Sequence, residues 1–136
     1  MDLLDNDVLA LVAARKNVPD ARHLFLSDGW STILARDPTT DKLSYDLIVS
    51  NPPVHRGHAD SFTVVETLLR GAFCGSHPKL SERGELWLVA QSHIPVTHIL
   101  HHILRQDNSN SAPVPSVRTQ LYTNGRFSVW RCARDN

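Results

Sequence analysis

The chain has 136 residues, 41% hydrophobic and 21% charged, with 14 Lys+Arg balancing 14 Asp+Glu. That length fits one domain over residues 1–136, able to bury roughly two thirds of its unfolded surface, and the apolar share excludes a wholly disordered chain. A net charge of zero excludes a large general affinity for nucleic acid, though not a small basic patch. No apolar run approaches the ~20 residues of a membrane span, and no signal-peptide pattern opens the chain. Cys74 and Cys132 show no close spacing, so free thiols in a reducing compartment, the cytoplasm, are expected.

Met1 to Leu4 is a short apolar start that reads as a strand ending at Asp5. From Val8, the residues Val8, Leu11, Val12 and Ala14 recur at helical spacing, with Asn6 or Asp7 suited to cap the helix and Asn17 to Pro19 ending it. His23 to Leu26 reads as a strand stopped by Ser27-Asp28-Gly29, and residues 36–42 as a polar loop. Tyr45 to Ser50 is a nearly continuous apolar run, the pattern of a strand buried on both faces, cut off by Asn51-Pro52-Pro53. Phe62, Val65, Leu69, Ala72 and Phe73 mark a helix face, Glu85 to Ala90 a buried strand, and Val96 to Leu104 a helix with Ile99, Leu100 and Ile103 inward. Asp107 to Pro115 is a polar loop, expected to be the most mobile part. Thr123-Asn124-Gly125 between two alternating segments, Val117 to Tyr122 and Phe127 to Cys132, is a strong hairpin signal.

Strands alternating with helices and closed by an antiparallel hairpin imply an open, mostly parallel α/β sheet. Ligands of such sheets bind beyond the carboxyl ends of the strands. That rule selects Asp5, Asp28 and the Asn51-Pro52-Pro53 turn, all polar and suited to recognition.

The run Asp46-Leu47-Ile48-Val49-Ser50-Asn51-Pro52-Pro53-Val54-His55-Arg56-Gly57 resembles the strand-and-loop signature of class I, S-adenosylmethionine-dependent N-methyltransferases. Asn-Pro-Pro-x-His-x-Gly is most similar to the "small domain" rRNA guanine-N2 methyltransferases. Leu4-Asp5-Asn6-Asp7, Ser27-Asp28, the stretch from Gly84 to Ala90, Ile94-Pro95 and the stretch from Gly125 to Arg131 resemble further family motifs in order. The resemblance implies a Rossmann-like methyltransferase sheet, S-adenosyl-L-methionine as cofactor, and the exocyclic amine of a guanine in ribosomal RNA as target. It assigns Asp5 to the cofactor ribose and Asp28 to the adenine amino group. Asn51 would also meet the cofactor; with Pro52 it would hold the target amine, Pro53 would stiffen the loop, and Val54, His55, Arg56 and Gly57 would meet substrate.

The chemistry suits these residue types. An exocyclic amine is a poor nucleophile because its lone pair is delocalised into the ring. The Asn51 side-chain carbonyl and the Pro52 backbone carbonyl can accept its two N–H groups, and the prolines aim these acceptors before substrate arrives. As a turn alone, Asn-Pro-Pro would merely end a strand.

Two features depart from the family pattern. Val54 stands where an aromatic residue usually stacks on the target base, so stacking must come from elsewhere. The glycine-rich cofactor loop, expected ~20 residues before the acidic residue, has no counterpart here: only four residues precede Asp5, and no G-x-G occurs. By the resemblance, a first strand, its loop and its helix are missing from the middle of the sheet. The strands ending at Asp5 and Asn51 are then expected to pair directly or with another chain, as in a homodimer. Whether such a chain is active alone is left open by its sequence, and a non-catalytic binding or scaffold module is the alternative. Transfer to a protein glutamine amide is a further alternative, though those enzymes usually carry Tyr where Val54 stands.

His98, His101 and His102 share one helix face at a spacing that can bind zinc, but no acidic or cysteine partner is near in sequence. Arg56, Arg70, Lys79 and Arg83 offer a modest basic rim for RNA phosphates, or simply a solvated surface.

Overall fold

A computed structural model of the chain describes residues 1–30, 43–52, 58–108 and 116–135, with the side chains of 58–60 excepted. These form two compact units, Met1–Leu43 and Ser44–Asn136.

In the first unit, β1 (Asp2–Asp5) pairs in parallel with β2 (His23–Leu26), and α1 (Val8–Asn17) connects them. Asp7 caps α1 by accepting from the Leu9 N–H at 2.8 Å, and Arg15 and Lys16 sit at its negative end. The Arg22 guanidinium donates to both carboxylate oxygens of Asp2, at 3.1 and 2.9 Å, and so fixes the start of the ladder. Leu11 and Ala14 are half-buried, whereas Val8, Leu9 and Val12 are exposed.

The second unit contains β3 (Tyr45–Ser50), α2 (His58–Phe73), β4 (Leu80–Gln91), α3 (Val96–Asp107), β5 (Val117–Thr123) and β6 (Phe127–Arg134). Its strands lie in the order β3-β4-β6-β5. The β3/β4 pair is parallel, and β6 runs antiparallel to both β4 and β5. Gly125, at φ +99°, makes the β5–β6 turn in the left-handed region that glycine tolerates. The core lies on one side of this sheet. Val65, Leu69, Ala72 and Phe73 of α2 and Val96, Leu100, Ile103 and Leu104 of α3 are buried, as are Leu86, Leu88 and Ala90 of β4 and Ile48 of β3. Ile99, expected inward, is half-buried.

β3 departs from expectation. Leu47 is 56% and Val49 72% exposed, so the strand is buried on the Ile48 face alone. The apolar run meant that both faces can be covered; α2 and α3 account for one of them. On its other side β3 has no neighbouring strand among the described residues. β4 begins five residues before the expected Glu85, and its pairing slips there: Tyr45 faces Leu80 but Leu47 faces Glu85. Gly84 sits in this bulge, where a Cβ would lie 2.8 Å from the Tyr45 carbonyl oxygen.

Beside the exposed Leu47 and Val49, the open face of the sheet carries a polar and aromatic cluster on β4, β5 and β6. Glu85 pairs with Arg131 across the β4/β6 ladder and accepts from Trp87 Nε1 at 3.1 Å. Trp87 stacks on Tyr122 with centroids 6.1 Å apart, and the Arg131 guanidinium lies 5.9 Å from the Trp87 ring centroid.

Candidate functional site

The strand ends selected in the sequence place their polar groups as follows. Asp5 closes β1; its carboxylate accepts from the Asp7 N–H at 2.9 Å and its carbonyl from the Ser27 N–H at 2.9 Å. Because Asp7 caps α1, Asp5 is not needed for that duty. Asp28 follows β2 in a turn where Ser27 Oγ donates to the Gly29 carbonyl at 2.7 Å and Gly29 takes φ +58°. Asp28 itself is exposed, so β1 and β2 each lead into an acidic residue at the carboxyl end.

Asn51 and Pro52 directly follow β3, the first exposed and the second half-buried. They border a small hollow of about 20 Å³, room for about one water molecule, together with Ser61 and Val65 of α2, Gln91 at the end of β4, Ile94, and Phe127 at the start of β6. Two parallel strands thus deliver Asn51 and Gln91 to one rim, as the strand-end rule requires. Ser61, Gln91 and Phe127 were not singled out in the sequence. Applying the strand-end rule to β4 would have found Gln91, and Phe127 is its register partner across the β4/β6 ladder. Ser61 left no signal, being one small polar residue in a helix. Pro53, Val54, His55, Arg56 and Gly57 lie outside the described residues, as does most of the Asp107 to Pro115 loop.

The remaining candidates separate. Lys79 does not belong to a basic rim: its side chain is fully buried in the α2–β4 turn, where its N–H donates to the Gly71 carbonyl and its own carbonyl accepts from the Tyr45 N–H. Arg70 is held by Glu66 at 2.8 Å and Gln106 at 2.6 Å, while Arg83 is exposed. His98, His101 and His102 lie exposed on α3, and His102 contacts the Gln106 side chain at 2.9 Å. Among the described residues no group of three metal-ligating side chains comes together. No helix among them is long and apolar enough to cross a membrane.

The family model of the methyltransferase small domain matches residues 1–112, most of the chain. The chain belongs to the methyltransferase small-domain family. It is similar to the ribosomal RNA small subunit methyltransferase C of Erwinia tasmaniensis, 33% identical over 129 residues, which cover 92% of this chain and 31% of that protein. The same enzyme of Pseudoalteromonas translucida is 39% identical over 105 residues, covering 77% and 24%. The chain thus spans about a third or less of the length of these curated relatives. Its fold is that of the T. thermophilus 16S rRNA N2 methyltransferase solved with AdoMet and guanosine, at TM-score 0.63 and 16% identity, with 98% of this chain and 31% of that one covered. A TehB-like SAM-dependent methyltransferase from Corynebacterium glutamicum aligns at TM-score 0.57 and 13% identity, covering 98% and 67%. The Rossmann-like methyltransferase fold inferred from the motifs is therefore the fold of this family member.

Proposed function

We propose that this chain serves S-adenosylmethionine-dependent methyl transfer to the exocyclic amine of a guanine in ribosomal RNA. The observation that carries the reading is the position of Asn51 and Pro52: they follow β3 directly and border a hollow at the carboxyl end of the parallel β3/β4 pair. The names of the relatives support the substrate class. S-adenosylmethionine, when bound, supplies an electrophilic methyl group. The residues present fit two parts of it, since ribose hydroxyls and an adenine amino group are donors, and Asp5 and Asp28 put carboxylate acceptors after β1 and β2. In this reading Asp5 takes the ribose and Asp28 the amino group. The Asn51 amide oxygen and the Pro52 carbonyl accept the two amine hydrogens, which localises the nitrogen lone pair and orients it. By the family resemblance, Pro53 would stiffen this loop, and Val54, His55, Arg56 and Gly57 would meet the substrate. In this reading the chain works in the cytoplasm, among the ribosomes.

Titration calorimetry with S-adenosylmethionine, followed by transfer of labelled methyl to ribosomal RNA, tests the reading. Micromolar binding and N2-methylguanosine in the digested RNA are expected. Absence of both overturns it in favour of a non-catalytic binding or scaffold module. That second reading draws on the exposed Leu47 and Val49 beside the outer edge of β3, which suits pairing with a strand from a second copy. Sedimentation would then give a dimer, and a monomer at all concentrations would exclude it.

A further inference from the structure

Val54 gives the Asn-Pro-Pro loop no aromatic partner for a base, but the hollow beside Asn51 is bordered by an aromatic ring, that of Phe127, 37% exposed at the start of β6. Other rings of this unit are engaged: Trp87 lies against Tyr122, Phe62 against His93, and Phe73 is buried beside Arg134. Phe127 makes no such ring contact among the described residues. One exposed phenylalanine is ordinary in itself. The backbone that carries this one is held on both sides. Its N–H donates to Asn124 Oδ1 at 3.2 Å, and its carbonyl accepts from the Asn124 N–H at 3.2 Å and the Thr123 hydroxyl at 3.3 Å. The preceding Arg126 carbonyl accepts from the Ser92 N–H at 3.2 Å. A ring on a fixed root, with two side-chain torsions, loses little freedom when a ligand covers it.

We infer that Phe127 is the ring on which the target base stacks. The inference rests on the reading that Asn51 and Pro52 hold the guanine amine. Val49 is level with Trp87 and Gln91 with Phe127, so alternation along the strands puts Asn51, Gln91 and Phe127 on one face of the sheet. In the order β3-β4-β6, Asn51 and Phe127 flank Gln91, two strand spacings or about 10 Å apart across the sheet. The two side chains and a purine between them fill that gap. The hollow below has room for about one water molecule and none for a base, so a base held at Asn51 lies across the rim, where the exposed Phe127 ring is. Every base has a π face, so stacking here supplies affinity and fixes the plane of the base. Selection of the amine stays with the acceptors at Asn51 and Pro52.

The test uses guanosine as probe, with binding followed by NMR titration of the whole chain and of its Phe127 variants. In the wild-type chain the purine H8 should move upfield in the ring current and show contacts to the Phe127 ring protons. Phe127→Ala should lower guanosine affinity about five- to 100-fold, the range for one stacked base, with little change in Tm because the ring is exposed. Phe127→Tyr and Phe127→Trp should keep the affinity, while Phe127→Leu, apolar without a π face, should lose most of it. A structural role would instead lower Tm in F127A and leave guanosine affinity unchanged. The inference is overturned by that result, by full affinity in F127L, or by a wild-type chain that does not bind guanosine at millimolar concentration. Asn51-dependent methylation of RNA that is indifferent to Phe127 would sink this inference and spare the methyltransfer reading. Stacking of guanosine on Phe127 without S-adenosylmethionine binding would do the reverse.

Discussion

Arg134 holds the end of α2 through Phe73: its Nη2 donates to the Phe73 carbonyl at 3.0 Å while the guanidinium lies 5.3 Å from the Phe73 ring centroid. Its Nη1 also donates to the carbonyls of Leu80 and Ser81, both at 3.2 Å. One side chain from β6 thus serves three acceptors, one at the end of α2 and two at the start of β4, the first a helix-terminal carbonyl with no intrahelical donor. Partial burial lowers the Arg134 pKa from its ordinary value, with Cys74 and Glu82 opposing that shift.

Arg134→Ala should therefore destabilise the fold by about 2–3 kcal/mol, the range for charged donors to buried carbonyls. Arg134→Lys should recover little of it, because an ammonium lacks the planar fork that reaches separate acceptors. Urea denaturation of both variants checks this, with a lowered midpoint and an unchanged slope expected.

Gly84→Ala should cost about 1–3 kcal/mol through overpacking. Its Cβ would meet the Tyr45 carbonyl oxygen at 2.8 Å and Leu80 Cδ1 at 2.9 Å, and a backbone carbonyl inside a ladder has little room to yield. Thermal unfolding of this single variant is sufficient, and a Tm equal to that of the wild type would show that the bulge relaxes.

Acid should loosen the open sheet face. Hydrogen bonds from Arg131 and then Trp87 hold the Glu85 carboxyl at about 2, well below its ordinary value. A carboxylate with a depressed folded pKa stabilises the native state above the unfolded pKa, near 4.5, and that contribution is lost as pH falls toward 2. Glu85→Gln should flatten the dependence of Tm on pH between about 5 and 2. A slope identical to that of the wild type would assign the acid sensitivity to other groups.

Alkali should act through the two thiols. Burial pushes Cys132 up to about 12, and burial with the nearby Asp107 charge pushes Cys74 up to about 11. Both stay protonated in the fold at a pH where unfolded cysteine ionises. Their contribution is constant below about 9 and is lost as pH rises through the folded values. Alkylation by iodoacetamide at pH 8 should be slow for both in the native chain and rapid in denaturant.

Asn51→Ala should reduce methyl transfer to RNA by about 100-fold or more, the scale of losing one aligned polar contact to the reacting group. S-adenosylmethionine affinity should change much less if Asp5 and Asp28 carry most of the contacts. Single-turnover rates beside calorimetry separate the two effects, and equal losses in both would move Asn51 to cofactor binding.

Much of this was legible in the residues. A cap at Asn6 or Asp7, of which the fold uses Asp7, His23 to Leu26 as a strand, and Asn124-Gly125 as a hairpin turn follow from neighbours in sequence. The strand-end rule likewise put Asn51 at the rim of a hollow. What could not be read depends on packing between distant segments. Lys79 is charged, yet it lies in a turn bonded on both sides by Gly71 and Tyr45, so its stem is covered. Gly84 carries no signal of its constraint in the sequence, because its close approach to Tyr45 exists only once β3 and β4 pair. β3 read as buried on both faces because an apolar pattern records what a face tolerates, not what rests on it.

That uncovered β3 surface has a practical consequence for anyone handling the chain. Leu47 and Val49 sit two residues apart on one face, beside a row of backbone groups with no neighbouring strand among the described residues, within an uncharged tetrapeptide of high β propensity from Leu47 to Ser50. Such an edge recruits like strands, so the 136-residue chain should lose monodispersity as it is concentrated. A lysine at Val49, pointing into solvent, would act as a gatekeeper without disturbing the Ile48 side that faces the core.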